Sequence, residues 1–192
     1  MKDLLEIGKD ALNASKKLGI SEVELYLRTG KKIEVTIQNN DLAMSRYDLQ
    51  DGIGIRVFKG KALGFASVNN LESDKIKEAL DNANSIARIS PEDEFNGLPS
   101  PEAVPLVEGI YDEGSDEFDS SEALKYGASL LEVAKGFDRR VSVDYGSFTV
   151  EIEKRAVLNS KGTSVYEEGS LFAYFIMGMA IDGEVVSCFD FQ

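Results

Sequence analysis

The stretch from Gly52 to Val68 predicts a β-hairpin, and it constrains the fold more than any other part of the sequence. Two short apolar runs, Ile53–Phe58 and Ala62–Val68, flank the pair Gly60–Lys61. A glycine at such a break supplies the positive φ that a tight hairpin turn requires. The chain therefore contains at least one antiparallel pair of strands.

The first strand of this hairpin has two different faces. Its β-branched residues alternate and fall on one face, which can be buried. The other face is nearly bare backbone with one cation, because it consists of Gly52, Gly54 and Arg56. Such a face allows a close approach, and we expect another strand or helix to pack against its glycines.

Three segments have apolar residues at the helical period. They cover about residues Lys2–Leu18, Ser73–Ser90 and Ser120–Gly136. Ser73 and either Ser120 or Ser121 are expected to cap the second and third helices, and Gly136 to close the third. The apolar stripe of the third helix is predicted to consist of Leu124, Ala128, Leu131 and Ala134.

The segments between these helices alternate between apolar and polar residues, which is typical of half-buried strands. Besides the break at Gly60, turns are predicted at Gly30–Lys31, Asn39–Asp41, Gly146–Ser147, Asn159–Gly162 and Asp182–Gly183. The first ninety residues are therefore expected to form a helix, a meander of about four strands and a second helix.

All four prolines lie between Pro91 and Pro105, and carboxylates crowd the chain as far as Asp119. Such a composition is typical of a solvated connector. We predict an α+β fold of two helix-plus-antiparallel-meander units, at residues 1–90 and 120–192, joined by an acidic, proline-containing linker at 91–119. The second unit repeats the element order of the first, which suggests duplication.

The absence of histidine excludes more functions than any other feature of the composition. Histidine is the commonest zinc ligand and the commonest general base in proteins, and the 192 residues contain none. The one cysteine, Cys188, is expected to be a small core residue. The net charge of −13 opposes direct binding to nucleic acid. No apolar run suits a membrane span or a secretory signal, so we expect a cytoplasmic protein.

Several short motifs occur in an order that resembles a known family. They are Ser15–Tyr26, Gly52–Val57, Gly64–Ser67, Phe95–Pro101, Gly109–Asp112 and Leu158–Gly162. Together they resemble the amino-terminal and middle region of the TldD/PmbA family, which is also called modulator of DNA gyrase. Gly52, Gly54 and Arg56 match its Gly-x-Gly-x-Arg strand, whereas Asn159, Ser160 and Gly162 match its Asn-Ser-x-Gly turn. These six positions are expected to be architectural.

The resemblance implies a cytoplasmic protein from a family associated with zinc-dependent proteolysis of unfolded peptides. In the TldD type, a His-Glu-x-x-x-His motif in the carboxy-terminal part and a later cysteine hold the metal, and the PmbA (TldE) type lacks these ligands. No position here matches the motif, so we assign this chain no catalytic residue, no metal ligand and no cofactor. We expect a non-catalytic scaffold that forms a homo- or heterodimer with a family member and holds extended peptides through its strand edges.

Two other hypotheses remain open at this point. The chain could be a free-standing acidic module for protein interaction, with no peptidase activity. It could also be an enzyme that uses carboxylates on strand faces, for which Asp51, Asp144 and Glu151 are the candidates. A longer reading frame would favour the family scaffold over the free-standing module.

Overall fold

Helix α1 (Leu4–Lys17) opens the computed structural model, which describes residues 3–105 and 107–192. The Asp3 carboxylate caps the helix by accepting a hydrogen bond from the N–H of Leu5 at 2.9 Å. The first predicted helix is thereby confirmed. Lys2, where it was predicted to begin, lies outside the described residues.

The other elements give an α+β fold with an antiparallel sheet, so the predicted fold class is confirmed. In chain order they are β1 (Glu22–Gln38), β2 (Asp41–Lys59), β3 (Ala62–Val68), α2 (Ser73–Ala87), a 3₁₀ helix (Glu113–Glu117), α3 (Ser120–Phe137), β4 (Val141–Asn159), β5 (Ser164–Asp182), β6 (Val185–Val186) and β7 (Asp190–Phe191). The strand order is β3-β2-β1-β4-β5-β6, and β7 also pairs with β5. No helix of the described part of the chain is long and apolar enough to cross a membrane.

The strands are fewer and longer than the sequence predicted. The turns predicted at Gly30–Lys31 and Gly146–Ser147 are wrong, because β1 and β4 continue through them. The break after β1 is a two-residue turn in which Asn39 and Asn40 have φ values of 50° and 65°. Asparagine tolerates this left-handed conformation better than most residues, so the turn needs no glycine.

The hairpin predicted around Gly60 is confirmed. β2 and β3 pair antiparallel, Arg56 lies opposite Phe65, and Gly60 has a φ of 63°. On β3, Gly64 is needed for packing, because a Cβ there would collide with the carbonyl oxygen of Ala83 in α2. The close approach of a helix that was expected at the β2 glycines therefore occurs on the partner strand.

The two later helices are confirmed, but their caps and the buried face of α3 differ from prediction. Glu72 occupies the N-cap position of α2 without a side-chain hydrogen bond. Asp119 caps α3 by accepting from the N–H of Glu122 at 2.9 Å. The buried residues of α3 are Ala123 and Gly127, whereas the predicted stripe residue Leu124 is 38% exposed and Gly136 lies inside the helix.

The chain forms two compact units, each built from three separate segments. Unit 1 comprises residues 1–30, 50–108 and 153–168, and unit 2 comprises residues 31–49, 109–152 and 169–192. In unit 1, α1 and α2 bury their apolar faces against β1, β2 and β4. This core includes Leu4, Val23, Leu25, Ile55, Leu80 and Leu158. The sequence-ordered division at residues 90 and 120 stays a prediction, as does the duplication.

Unit 2 has a smaller core on the other halves of the long strands. Its buried members are Ile33, Val35, Ala123, Phe148, Val150 and Ile152. The helix α3 approaches β1 closely at Gly127, where a Cβ would lie 2.7 Å from Cγ1 of Val35. The 3₁₀ helix is held by Lys31, whose Nζ donates to the carbonyl oxygen of Asp116 at 2.5 Å.

Within unit 1, the first part of the predicted linker is attached to the β2–β3 turn. Nζ of Lys61 donates to the carbonyl oxygen of Asn96 at 2.8 Å, and Nδ2 of Asn96 donates to the carbonyl oxygen of Lys61 at 3.1 Å. Leu98 is 6% exposed, and its carbonyl oxygen accepts from Nζ of Lys161 at 3.1 Å. These contacts hold irregular backbone against the sheet.

Candidate functional site

The candidate site built from the predicted residues lies on the sheet face of unit 1 that does not pack on α1 and α2. We call this surface the open face. Strand alternation places every second side chain here. It comprises Glu24, Tyr26, Arg28, Gly54, Arg56, Phe65, Glu153 and Arg155.

Arg56 is held at the centre of the β2 part of the open face. Its Nε donates to Oε1 of Glu24 at 3.0 Å, and its Nη2 pairs with the same oxygen. The guanidinium carbon lies 5.9 Å from the ring centroid of Phe58. Arg56 is therefore paired with a carboxylate and an aromatic ring of its own sheet.

Neither Gly52 nor Gly54 leaves a gap on this face. A Cβ on Gly54 would lie 3.4 Å from Cε2 of Phe65, so the Phe65 ring covers this glycine from the neighbouring strand. A Cβ on Gly52 would lie 3.4 Å from the carbonyl oxygen of Val68. The Gly-x-Gly-x-Arg strand thus makes cross-strand contacts, and Phe65, which the sequence reasoning left out, belongs to the same surface.

A second group of charges continues across the open face on β1, β4 and β5. Nε of Arg28 pairs with Oε1 of Glu153, and Nη2 of Arg155 lies 2.8 Å from Oε2 of the same carboxylate. Nη1 of Arg155 is also 3.9 Å from Oε1 of Glu167. Since each cation has a carboxylate beside it, this face offers no concentration of positive charge for a phosphate group.

The predicted Asn-Ser-x-Gly turn connects β4 to β5 and makes contacts within unit 1. Oδ1 of Asn159 accepts from the N–H of Lys161 at 2.9 Å and from the N–H of Thr163 at 3.0 Å. Gly162 has a φ of 104°, a conformation that favours glycine. Oγ of Ser160 accepts from the N–H of Val23 at 3.1 Å. The turn residues therefore have structural partners.

The three carboxylates considered for catalysis are not brought into one cluster within either unit. Asp51 belongs to unit 1, where its Oδ1 accepts from Oγ1 of Thr29 at 2.5 Å. Asp144 and Glu151 belong to unit 2 and lie on β4. Asp144 uses its backbone carbonyl oxygen to accept from the N–H of Asn39 at 3.1 Å.

The residues present do not fit the zinc centre that the family resemblance implies for its catalytic members. The chain supplies no imidazole, and its one thiol belongs to Cys188. Among residues 3–105 and 107–192, no three Cys, Asp or Glu side chains are grouped closely enough to hold a metal ion. The side chains of this chain therefore do not provide the ligands of a zinc site, and no reaction step is assigned to zinc here.

Unit 2 has an apolar groove that the sequence reasoning missed. It has a volume of about 690 Å³ and lies between the carboxy-terminal half of α3 and β5. Its lining includes Leu130, Val133, Phe137, Tyr174, Ile176 and Phe191. Cys188 also lines it and is exposed, so the expectation of a core cysteine is wrong. The feature of the sequence that could have indicated this groove is the long apolar run Leu171–Ile181. It contains more apolar side chains than the small core of unit 2 buries.

A surface ion pair between Asp138 and Arg140 follows α3. Asp138 accepts from Nη2 of Arg140 at 2.8 Å, from its Nε at 2.9 Å and from its backbone N–H at 2.9 Å. The side-chain and backbone hydrogen bonds of Arg140 hold the pKa of Asp138 well below its ordinary value of 3.8. The same pair raises the pKa of Arg140.

Comparisons with known proteins identify the family to which this α+β fold belongs. Residues 23–87 match the model of PmbA/TldA metallopeptidase domain 1, and residues 113–190 match the model of the PmbA/TldA metallopeptidase central domain. The chain belongs to the PmbA/TldA metallopeptidase family.

Individual relatives agree with this assignment. TldE from Thermococcus kodakarensis is 28% identical, with a TM-score of 0.85 over 97% of this chain and 42% of its own. A Metalloprotease PmbA homolog from Buchnera aphidicola is 26% identical over 84% of this chain and 36% of its own. A structure from Thermotoga maritima, named as a candidate modulator of a DNA gyrase, shares the fold at 18% identity. Its TM-score is 0.78, over 93% of this chain and 40% of its own.

The chain thus spans well under half the length of each of these relatives.

Proposed function

We propose that this chain is a non-catalytic scaffold region of a TldD/PmbA-type protein. In this role it forms a homo- or heterodimer with a family member and helps to hold extended peptides, while the zinc chemistry belongs to other residues. The observation that carries the proposal is that both family domains are matched by a chain without histidine and without a metal-holding cluster in its described residues.

The contacts of the motif residues support a structural role. The side chain of Arg56 is paired with Glu24, and the hydroxyl of Ser160 accepts a hydrogen bond from Val23. Both side chains therefore have structural partners within unit 1. The acidic composition favours a protein partner over nucleic acid, because like charges repel a phosphate backbone. A cytoplasmic location is part of the same proposal.

A peptidase assay tests the proposal. The purified chain is incubated with an unfolded polypeptide substrate, with and without added zinc, and its thermal unfolding is measured with and without a chelator. We expect no zinc-dependent cleavage and an unchanged midpoint. Zinc-activated cleavage by the pure chain would overturn the proposal.

Complex formation separates the scaffold from the free-standing acidic module. The chain is mixed with a full-length family member that carries the histidine motif, and the mixture is run on a size-exclusion column with light scattering. We expect a complex of defined stoichiometry. Separate elution at concentrations well above those in a cell would favour the free-standing module.

A further inference from the structure

The segment that follows α2 contains the dipeptide Asn96–Gly97, which belongs to one of the family motifs and has no part in the proposed function. It lies in irregular backbone of unit 1, where Asn96 is half-buried and Gly97 is exposed. The next backbone nitrogen attacks an asparagine side chain most readily when glycine follows, because glycine has no Cβ to hinder the approach. The pair is therefore a candidate site of deamidation.

Lys61, in the turn between β2 and β3, holds this dipeptide with both its side chain and its backbone. Its Nζ donates to the carbonyl oxygen of Asn96 at 2.8 Å, and its own carbonyl oxygen accepts from Nδ2 of Asn96 at 3.1 Å. The same carbonyl oxygen accepts from the N–H of Asp93 at 3.1 Å. We call these three hydrogen bonds the Lys61 clamp. They hold the Asn96 amide and the backbone beside it on the hairpin turn.

The segment is also anchored on both sides of the dipeptide. On one side, the N–H of Asn96 donates to the carbonyl oxygen of Asp93 at 3.0 Å and closes a turn. On the other, Leu98 is buried, and its carbonyl oxygen accepts from Nζ of Lys161 at 3.1 Å. The conformation of the backbone between these anchors therefore depends on the Lys61 clamp.

Deamidation of Asn96 requires water as its co-reactant. The nitrogen of Gly97 loses its proton and forms a bond to Cγ of Asn96, while the bond from Cγ to Nδ2 breaks and Nδ2 leaves as ammonia. Water then opens the resulting cyclic imide at either carbonyl carbon, which gives aspartate or isoaspartate. No atom is oxidised or reduced in these steps.

The Lys61 clamp opposes the first of these steps. Ring closure turns the Asn96 side chain towards the nitrogen of Gly97 and displaces Nδ2, and both changes break the hydrogen bond from Nδ2 to Lys61. The reaction therefore belongs to the open form of the segment. The population of that form falls as the hydrogen bonds of the clamp become stronger.

The product of the reaction cannot restore the Lys61 clamp. A carboxylate only accepts hydrogen bonds, so it places an oxygen where Nδ2 had donated to the carbonyl oxygen of Lys61. Isoaspartate also puts its Cβ into the main chain and so changes the spacing of the backbone groups. The new negative charge joins the carboxylates of residues 92–94, and repulsion between these like charges favours the open segment.

We propose that Asn96 is a deamidation site controlled by the Lys61 clamp. The amide persists while the segment is attached to the β2–β3 turn, and it is converted to a carboxylate when the segment detaches. The conversion then keeps residues 93–97 detached, so that a local opening of unit 1 leaves a lasting covalent change. This inference goes beyond the proposed function and does not depend on it.

Two lysine variants test the control by the clamp. The complete chain is incubated at neutral pH and physiological temperature, and peptide mapping by mass spectrometry follows the conversion of Asn96. Lys61→Met removes Nζ and is expected to raise the rate at least about threefold. Lys59→Met is the matched control, because Lys59 is an exposed lysine at the end of β2, and it should react at the rate of the unmodified chain. Equal rates in the two variants, slower reaction of Lys61→Met, or no conversion of Asn96 would overturn the proposal.

Gly97→Ala tests the attack by the backbone nitrogen. A Cβ at Gly97 would lie 4.0 Å from Nζ of Lys61, which is ordinary contact distance, so alanine fits the attached segment. Because this Cβ hinders the approach of the nitrogen, we expect the conversion of Asn96 to slow at least about fivefold. An unchanged rate would rule out this route and overturn the proposal.

Asn96→Asp tests the consequence, because it carries the side chain of one product. Hydrogen exchange followed by mass spectrometry is expected to show faster exchange of the backbone amides of residues 93–97 than in the unmodified chain. Asn70→Asp is the matched control. It adds the same charge to unit 1, but it keeps the oxygen that accepts from the N–H of Glu72 at 2.6 Å, so exchange at residues 93–97 should not change. Unchanged exchange at these residues in Asn96→Asp would overturn the proposal.

Discussion

Ser160 and Val23 exchange two hydrogen bonds. The N–H of Ser160 donates to the carbonyl oxygen of Val23 at 2.9 Å, and the N–H of Val23 donates to Oγ of Ser160 at 3.1 Å. Val23 is fully buried near the start of β1, so its N–H depends on this hydroxyl. The contact fixes the β4–β5 turn to the first residues of β1 and gives a family-motif residue a definite structural role.

Ser160→Ala is expected to lower the free energy of unfolding by about 1 kcal/mol, because the N–H of Val23 loses its acceptor in a partly buried place. Urea denaturation followed by circular dichroism measures the change. Ser164→Ala is the control, since Ser164 is exposed on β5 and should give a smaller effect. Equal losses in the two variants would contradict the role assigned to Ser160.

Asn159→Ala is expected to cost about 2 kcal/mol of unfolding free energy, because one buried amide oxygen accepts from two backbone N–H groups. Asn159→Asp keeps the accepting oxygen and should be markedly more stable than the alanine variant. Thermal and urea unfolding of both variants test this order. If aspartate destabilised as much as alanine, the two accepted hydrogen bonds would not be the source of the effect.

Gly64 and Gly54 lie on adjacent strands, and alanine should be costly at Gly64 but not at Gly54. Gly64→Ala is expected to lose roughly 2–3 kcal/mol, because its Cβ meets the backbone of α2 at Ala83. Gly54→Ala should stay within about 0.5 kcal/mol of the unmodified chain, because its Cβ meets the Phe65 ring at ordinary contact distance. Unfolding curves for the pair provide the measurement, and a costly Gly54→Ala would show that the β2 glycine is also needed for packing.

Asp138 should titrate below its ordinary pKa of 3.8, because Arg140 donates side-chain and backbone hydrogen bonds to its carboxylate. A lowered pKa in the folded chain means that folding favours the charged form. The stabilising contribution is therefore complete above the unfolded pKa and is lost as the pH falls through the folded value. Carboxyl-carbon NMR titration measures it, and Arg140→Ala should return the pKa towards 3.8. An ordinary pKa in the unmodified chain would contradict the hydrogen-bonded geometry.

The sequence alone determined the class of the fold and most of its elements. The helical period of α1, the turn chemistry at Gly60 and the alternation of apolar residues are local properties, and local backbone preferences decide them. The family resemblance could also be recognised from the sequence. It depends on the order of residues such as Arg56 and Asn159 along the chain and not on their contacts in the fold.

The tertiary structure decided where the strands turn. A glycine next to a polar residue is typical of a turn. It is equally typical of a strand position where another segment of the chain packs closely, so the local sequence does not separate the two. At Gly146, a Cβ would lie 3.1 Å from the carbonyl oxygen of Phe175, so this glycine serves close packing inside β4. The turn after β1, at Asn39 and Asn40, is one that the sequence did predict. Only the neighbouring strands distinguish a glycine such as Gly146 from a turn glycine.

The same limit applies to the buried face of α3. The hydrophobic pattern selected Leu124 as a core residue, but the helix approaches the sheet through the small residues Ala123 and Gly127, which leaves Leu124 partly exposed. Composition and period describe a residue and its near neighbours, whereas burial depends on residues distant in sequence, so the tertiary structure alone decided which face of α3 packs on the sheet.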